Sequence, residues 1–294
     1  MELRRPVSVA VGAALCLLAG LPSALGGQPG QNAPATIQAA TAVPANIQAV
    51  PPDRIGLPGS TTTVETTQSY DGRARSFVLH IPDGLLAPAP LVVALHAHSQ
   101  TTATIRGYSR LEALADEQGF VVAFPGGAGG SWNAGLCCRP GSRDSTDDVA
   151  FLDEVVALSR TKALIDPDRI SVTGSSNGAM MALRYACERS EVVASVAVVA
   201  GPLVAPCAPA QPVPVLALHG GQDGLVPLNG GTNAGLGVTF PPVGPSLEPF
   251  REAGGEVQLL VVPRAGHAWM TRSRDGIDAT QLVWAWMRDH PRVS

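Results

Sequence analysis

Charge is scarce in this chain. Only 15% of its 294 residues are Asp, Glu, Lys or Arg, and no run of Lys or Arg occurs. With a net charge of −4 and a pI near 5.8, it lacks the basic footprint of a nucleic-acid or anionic-membrane binder. The N-terminal apolar run, 7–21, stops at Pro22 and falls short of the roughly 20 residues that a membrane-spanning helix needs. No Cys-x-x-Cys pair and no cluster of histidines occurs, so the familiar zinc spacings are absent. No internal repeat or second domain is visible. What is abundant is apolar: 45% of residues are hydrophobic and mean hydropathy is +0.17, which predicts one large core rather than disorder.

The first residues read as an address rather than as fold. Arg4 and Arg5 precede the apolar run, and Ala24-Leu25-Gly26 offers a small-x-small cleavage pattern. Residues 1–26 are therefore expected to be a signal peptide, the protein to be secreted, and no stable membrane insertion to occur. Removal of Glu2, Arg4 and Arg5 takes the net charge to −5. Residues 27–59, rich in Ala, Pro, Gln and Thr without periodicity, read as a flexible linker. The folded domain is expected over 60–294. Cysteine usage fits export, since Cys16 leaves with the signal and four remain: Cys137, Cys138, Cys187 and Cys207. Adjacent cysteines rarely bond each other on geometric grounds. Cys137 and Cys138 are thus each expected to pair with a different partner among Cys187 and Cys207.

Along the domain, β-rich segments 61–69 and 73–81 flank an Asp71-Gly72 hairpin signal. Continuous apolar runs at 91–96 and 120–124 read as strands buried on both faces. Between them, Ser109 and Glu112 form a capping-box pattern opening a helix that Gly119 closes. Asp147 and Asp148 open a helix running to about Lys162. Strands at 192–199, 213–219 and 256–262 then alternate with helices to about Cys187, at 246–253 and at 278–290. The pattern predicts an α/β fold: a mostly parallel sheet after an N-terminal antiparallel hairpin, with helices on both faces.

The chemistry centres on Gly174-Ser175-Ser176-Asn177-Gly178, a G-x-S-x-G between a β-branched strand and a helix. That context is what gives the motif meaning: a strained turn lifts a serine hydroxyl above the sheet, beside a helix N-terminus. A serine needs a base, and the base needs a group to hold its tautomer. In the α/β-hydrolase order, acid and then histidine follow the serine on later post-strand loops. Asp223 and His267 meet that requirement, with Gly266 expected to allow close approach and His219 to brace the loop carrying Asp223. The oxyanion donors are expected to be the backbone N–H groups of Asn177 and His98, with Ser99 next to the latter. His96 and His98 form an H-x-H pair with no third ligand in view, so no metal is expected.

Five motifs occur in order: Leu95-His96 followed by Gln100, the stretch from Ser131-Trp132-Asn133 to Cys137-Cys138, Asp147-Asp148-Val149, the elbow extended through Met180-Met181, and Gly266-His267-Ala268-Trp269. Together they resemble the secreted polyhydroxybutyrate depolymerase/feruloyl esterase family, close to LpqC-like esterases and carbohydrate esterase family 1. The resemblance covers about residues 60–290. It implies an α/β-hydrolase serine esterase without metal or organic cofactor, its triad falling on Ser176, Asp223 and His267. The chain departs from the family pattern at Ala97, where the family has Gly, and after Trp269, where Met and Thr replace Pro and Gly. Trp132 and Trp269 are expected to flank the site as substrate-stacking residues. A monomer is expected, acting on a hydroxyalkanoate, a feruloylated or acetylated polysaccharide, or a small ester. Two other functions fit the same fold: acyl transfer of the mycolyltransferase type, and a non-catalytic surface binding protein.

Overall fold

A computed structural model describes residues 38–39, 60–70, 73–85, 87–138 and 146–292. The signal sequence, most of the linker and the Asp71-Gly72 turn lie outside the described residues. Eleven strands are present among them: β1 (Gln38–Ala39), β2 (Ser60–Tyr70), β3 (Arg73–Ile81), β4 (Ala89–Leu95), β5 (Val121–Pro125), β6 (Ile165–Ser175), β7 (Ser195–Val199), β8 (Val215–Gly220), β9 (Gly231–Asn233), β10 (Val238–Phe240) and β11 (Val257–Val262). The helices are α1 (Thr102–Ser109), α2 (Leu111–Gln118), α3 (Asp148–Lys162), α4 (Asn177–Glu188), α5 (Val243–Ser246), α6 (Glu248–Glu252), α7 (Arg272–Asp275) and α8 (Ala279–Asp289).

Nine strands form one sheet in the order β1-β11-β8-β7-β6-β4-β5-β3-β2. Every neighbouring pair is parallel except β2–β3 and β3–β5, so the antiparallel hairpin sits at one edge. At the other edge, Gln38–Ala39 pairs with β11, so the stretch read as linker contributes a short strand there. A parallel sheet must be covered on both faces, and the period of two shows how. Leu91, Val93 and Leu95 of β4 face the core that holds Phe151 of α3 and Met180 of α4. Val92 and Ala94 face the opposite core, with Ile105, Leu111, Leu114 and Trp284 from α1, α2 and α8. The apolar runs are unbroken because neither face meets water.

The helix before Gly119 differs from the expectation. Ser109 is buried as the last residue of α1, and Arg110 in the left-handed region separates α1 from α2. No capping box forms; Glu112 instead bonds Arg106 Nε at 2.8 Å. Gly119 does close α2, at φ 75°. Asp147 and Asp278 cap α3 and α8 through their carboxylates.

Candidate active site

The parallel strands all end on the side where loops leave for the next helix, so residues distant in sequence converge there. Ser176 follows β6 and opens α4 with φ 55° and ψ −119°, a conformation that non-glycine residues rarely adopt and that costs about 1–3 kcal/mol. The surroundings hold it there. Its N–H donates to the Val199 carbonyl at 2.9 Å, and its own carbonyl accepts from Met180 N–H at 3.0 Å. A Cβ on Gly174 would strike the Gly178 carbonyl, and one on Gly178 would strike the Leu95 and His96 carbonyls. Both glycines of the motif are thus required by contact between strand, turn and helix.

Asp223 and His267 come from the loops after β8 and β11, adjacent strands in register from Val215↔Val257 to Gly220↔Val262. The glycine that lets the two loops touch is Gly220: a Cβ there would collide with the Ala265 and Gly266 carbonyls, whereas nothing lies within 4 Å of one on Gly266. Asp223 Oδ1 accepts from Leu225 and Val226 N–H at 3.0 and 2.9 Å, and Oδ2 lies 2.7 Å from His267 Nδ1. Burial works against the Asp223 charge, but the bonds from His267 and Val226 outweigh it and hold the carboxyl below its ordinary value. An ionised acid on Nδ1 fixes the imidazole tautomer with Nε2 free to accept a proton. Among the described residues no hydrogen bond joins Ser176 to His267; such bonds commonly tighten only with substrate in place.

In the loop after β4, Ser99 N–H is committed to the Gly130 carbonyl at 2.8 Å and Gln100 N–H to Ala97. The His98 N–H has no partner among the described residues, which favours it over Ser99 as an oxyanion donor. Ala97 does not need the conformational freedom of glycine, since its φ is not positive.

Asn177 does more than its expected backbone role. Its fully buried side chain accepts from Trp132 N–H at 2.8 Å and Ser131 Oγ at 3.2 Å, and donates to the Trp132 and Cys137 carbonyls at 3.1 and 3.0 Å. Ser131 Oγ also meets His98 Nδ1 at 3.1 Å. One side chain therefore pins the 131–138 loop to the elbow, and that loop reaches the His98 arm. A mid-sequence Asn gives no sign of these partners.

Two expectations are corrected here. Cys137 bonds Cys138 and Cys187 bonds Cys207, so the adjacent cysteines pair with each other. The Cys187 and Cys207 Cα atoms stand 5.8 Å apart, ordinary bridging distance, which leaves Cys137 and Cys138 to one another. Trp132 is completely buried, its Nε1–H donating to the His96 carbonyl at 2.9 Å. Trp269 is 5% exposed and bonds Thr280 Oγ1 at 3.0 Å. Neither ring presents a face to a ligand, so both pack and position rather than stack on substrate. His96 is buried with Nε2 accepting from Gly127 N–H at 2.9 Å and Nδ1 on the Ala97 carbonyl. Both nitrogens of His96 are thus spent on neighbouring loops, and no group of three metal-binding side chains is found among the described residues.

Residues 75–213 match the family described as esterase PHB depolymerase. Among curated proteins, the chain is 34% identical over 227 residues to NocK of Nocardia uniformis subsp. tsuyamanensis, a protein named as an esterase, covering 74% of this chain and 65% of that one. It is 32% identical over 181 residues to feruloyl esterase B of Piromyces equi, covering 56% of this chain and 33% of that one. It is 36% identical over 126 residues to poly(3-hydroxyalkanoate) depolymerase C of Paucimonas lemoignei, covering 42% of this chain and 30% of that one. The chain thus spans 65% of NocK and about a third of the other two. For fold alone, it superposes on the solved structure named sOPH with a TM-score of 0.60 at 21% identity, covering 83% of this chain and 91% of that one. On the S-formylglutathione hydrolase from Agrobacterium tumefaciens the TM-score is 0.54 at 17% identity, covering 79% and 93%. The fold is the α/β-hydrolase fold.

Proposed function

Taking as premise that the chain belongs, over residues 75–213, to the esterase PHB depolymerase family, we propose that it is a secreted serine esterase working through an acyl-enzyme as a monomer. The observation that carries this reading is the convergence of three strand ends. A strained Ser176 leaves β6, and Asp223 after β8 bonds His267 after β11 at 2.7 Å. Ser176 Oγ attacks the ester carbonyl while His267 Nε2 takes its proton. The Asn177 and His98 N–H groups hold the oxyanion, and His267 returns the proton to the leaving alcohol. Water, deprotonated by the same imidazole, then attacks the acyl-enzyme and releases the acid. Asp223 stays ionised throughout and stabilises the imidazolium. No metal or organic cofactor is needed for these steps.

The substrate class follows the names of the relatives, esters of hydroxyalkanoates or of feruloyl groups, with acetylated polysaccharide kept from the sequence expectation. Triad and oxyanion donors are common to all of these, so discrimination rests with the walls of the site. Ser176→Ala is expected to fold as the parent does, and to lose both p-nitrophenyl ester hydrolysis and labelling by a fluorophosphonate. Hydrolysis persisting in that variant would sink the assignment. Rates on methyl ferulate, acetylated xylan, short p-nitrophenyl esters and poly(3-hydroxybutyrate) then rank the substrates.

A further inference from the structure

A second histidine touches the same carboxylate. His219, at the end of β8, is 1% exposed, and its Nε2 lies 2.8 Å from the Val226 carbonyl and 3.4 Å from Asp223 Oδ2. A carbonyl oxygen can only accept, so Nε2 carries the proton and donates it to Val226, with the carboxylate close by but not hydrogen-bonded to the ring. Val226 in turn donates its N–H to Asp223 Oδ1. Ring, carbonyl, amide and carboxylate are thus linked in series through the 223–226 turn. Both carboxylate oxygens are then engaged: Oδ1 by two backbone N–H groups, Oδ2 by His267 Nδ1, with the His219 ring 3.4 Å from it. The carboxylate is left one orientation, with Oδ2 toward His267 Nδ1.

We infer that His219 is a positioning residue for Asp223: its Nε2–H holds the Val226 carbonyl, and through that turn aims the carboxylate at His267. The catalytic consequence rests on the esterase reading above; the geometry does not. Burial holds the imidazole neutral by pushing its pKa down, so the ring adds a donor to the site without adding a charge. Gln can place an N–H where Nε2 stands, whereas Leu fills the space without one.

Three measurements decide it. In the wild-type protein, ¹⁵N NMR of the His219 ring is expected to show the Nε2–H tautomer; an Nδ1–H ring overturns the proposal. His219→Leu is expected to lower kcat by about 10²-fold with KM nearly unchanged, the scale of a small misplacement of a catalytic group. It should also lose the far-downfield resonance of His267 Nδ1–H. His219→Gln is expected to recover most of both. A folded Leu variant with wild-type kcat and resonance overturns the proposal, as does a Gln variant as impaired as Leu. If the Leu variant does not fold, the tautomer and the Gln variant decide. If wild-type protein hydrolyses no ester, the esterase reading falls, while tautomer and resonance still judge the positioning.

Discussion

Asp148 and Asp223 are both buried carboxylates met by a basic side chain and by backbone N–H groups. Asp148, 1% exposed in the first turn of α3, takes Arg75 Nη1 at 2.6 Å and Asn133 N–H at 2.6 Å. The same guanidinium donates to the Gly126 carbonyl and lies 3.7 Å above the Phe151 ring. That pair ties β3, the loop after β5, the 131–138 loop and α3 together. Asp223 is 5% exposed, and its partner His267 retains 17% side-chain exposure. The decisive difference is the proton. A guanidinium never gives its proton up, so Arg75–Asp148 serves as a brace; an imidazole open to the site can exchange one, so His267–Asp223 can serve a reaction.

The contrast can be broken from either side. Asp223→Asn keeps the shape but favours the wrong imidazole tautomer. It is expected to lower kcat about 10⁴-fold while shifting Tm little, read by ester hydrolysis and thermal melting of the same sample. A large fall in Tm with kcat preserved would make Asp223 the brace instead. Arg75→Met does the reverse. It strands a buried carboxylate, and is expected to cost about 3–5 kcal/mol of stability in denaturant titration. The protein that remains folded should keep a far larger share of its activity than the Asp223→Asn variant does. The smallest effect is one of pH, and it comes from two buried histidines outside both pairs. Burial pushes His96 and His219 below their ordinary value of 6.5, so the folded protein binds fewer protons there than the unfolded chain. This contribution to stability is therefore complete above about pH 6.5 and declines as pH falls through and below that value. A Tm constant from about pH 8 down to about pH 5 would contradict this.

The two regions also differ in how far the sequence reveals them. Ser176, Asp223 and His267 are legible because each lies just past an apolar run that ends in glycine-rich loop, and their order is constrained by the fold. The Asp148 brace is not: at the start of a helix an aspartate already has a sufficient local explanation, and Arg75 lies 73 residues away. The sequence is opaque for the side chain of Asn177, whose partners lie 40 to 46 residues earlier. Trp132 and Trp269 mislead for a related reason, since proximity in sequence to a site says nothing of which way a ring turns.

By itself the sequence determined the alternation of the main strands and helices, the unbroken apolar runs of a sheet covered twice, and the glycines that let strand and helix pass at the elbow. These are local matters of period, size and backbone freedom. Only the tertiary structure decided which cysteines bond, which loop Asn177 grips, which glycine lets Asp223 reach His267, and that His219 holds the turn beside that carboxylate. Those depend on distances between strand ends, and the order of strands in the sheet sets them.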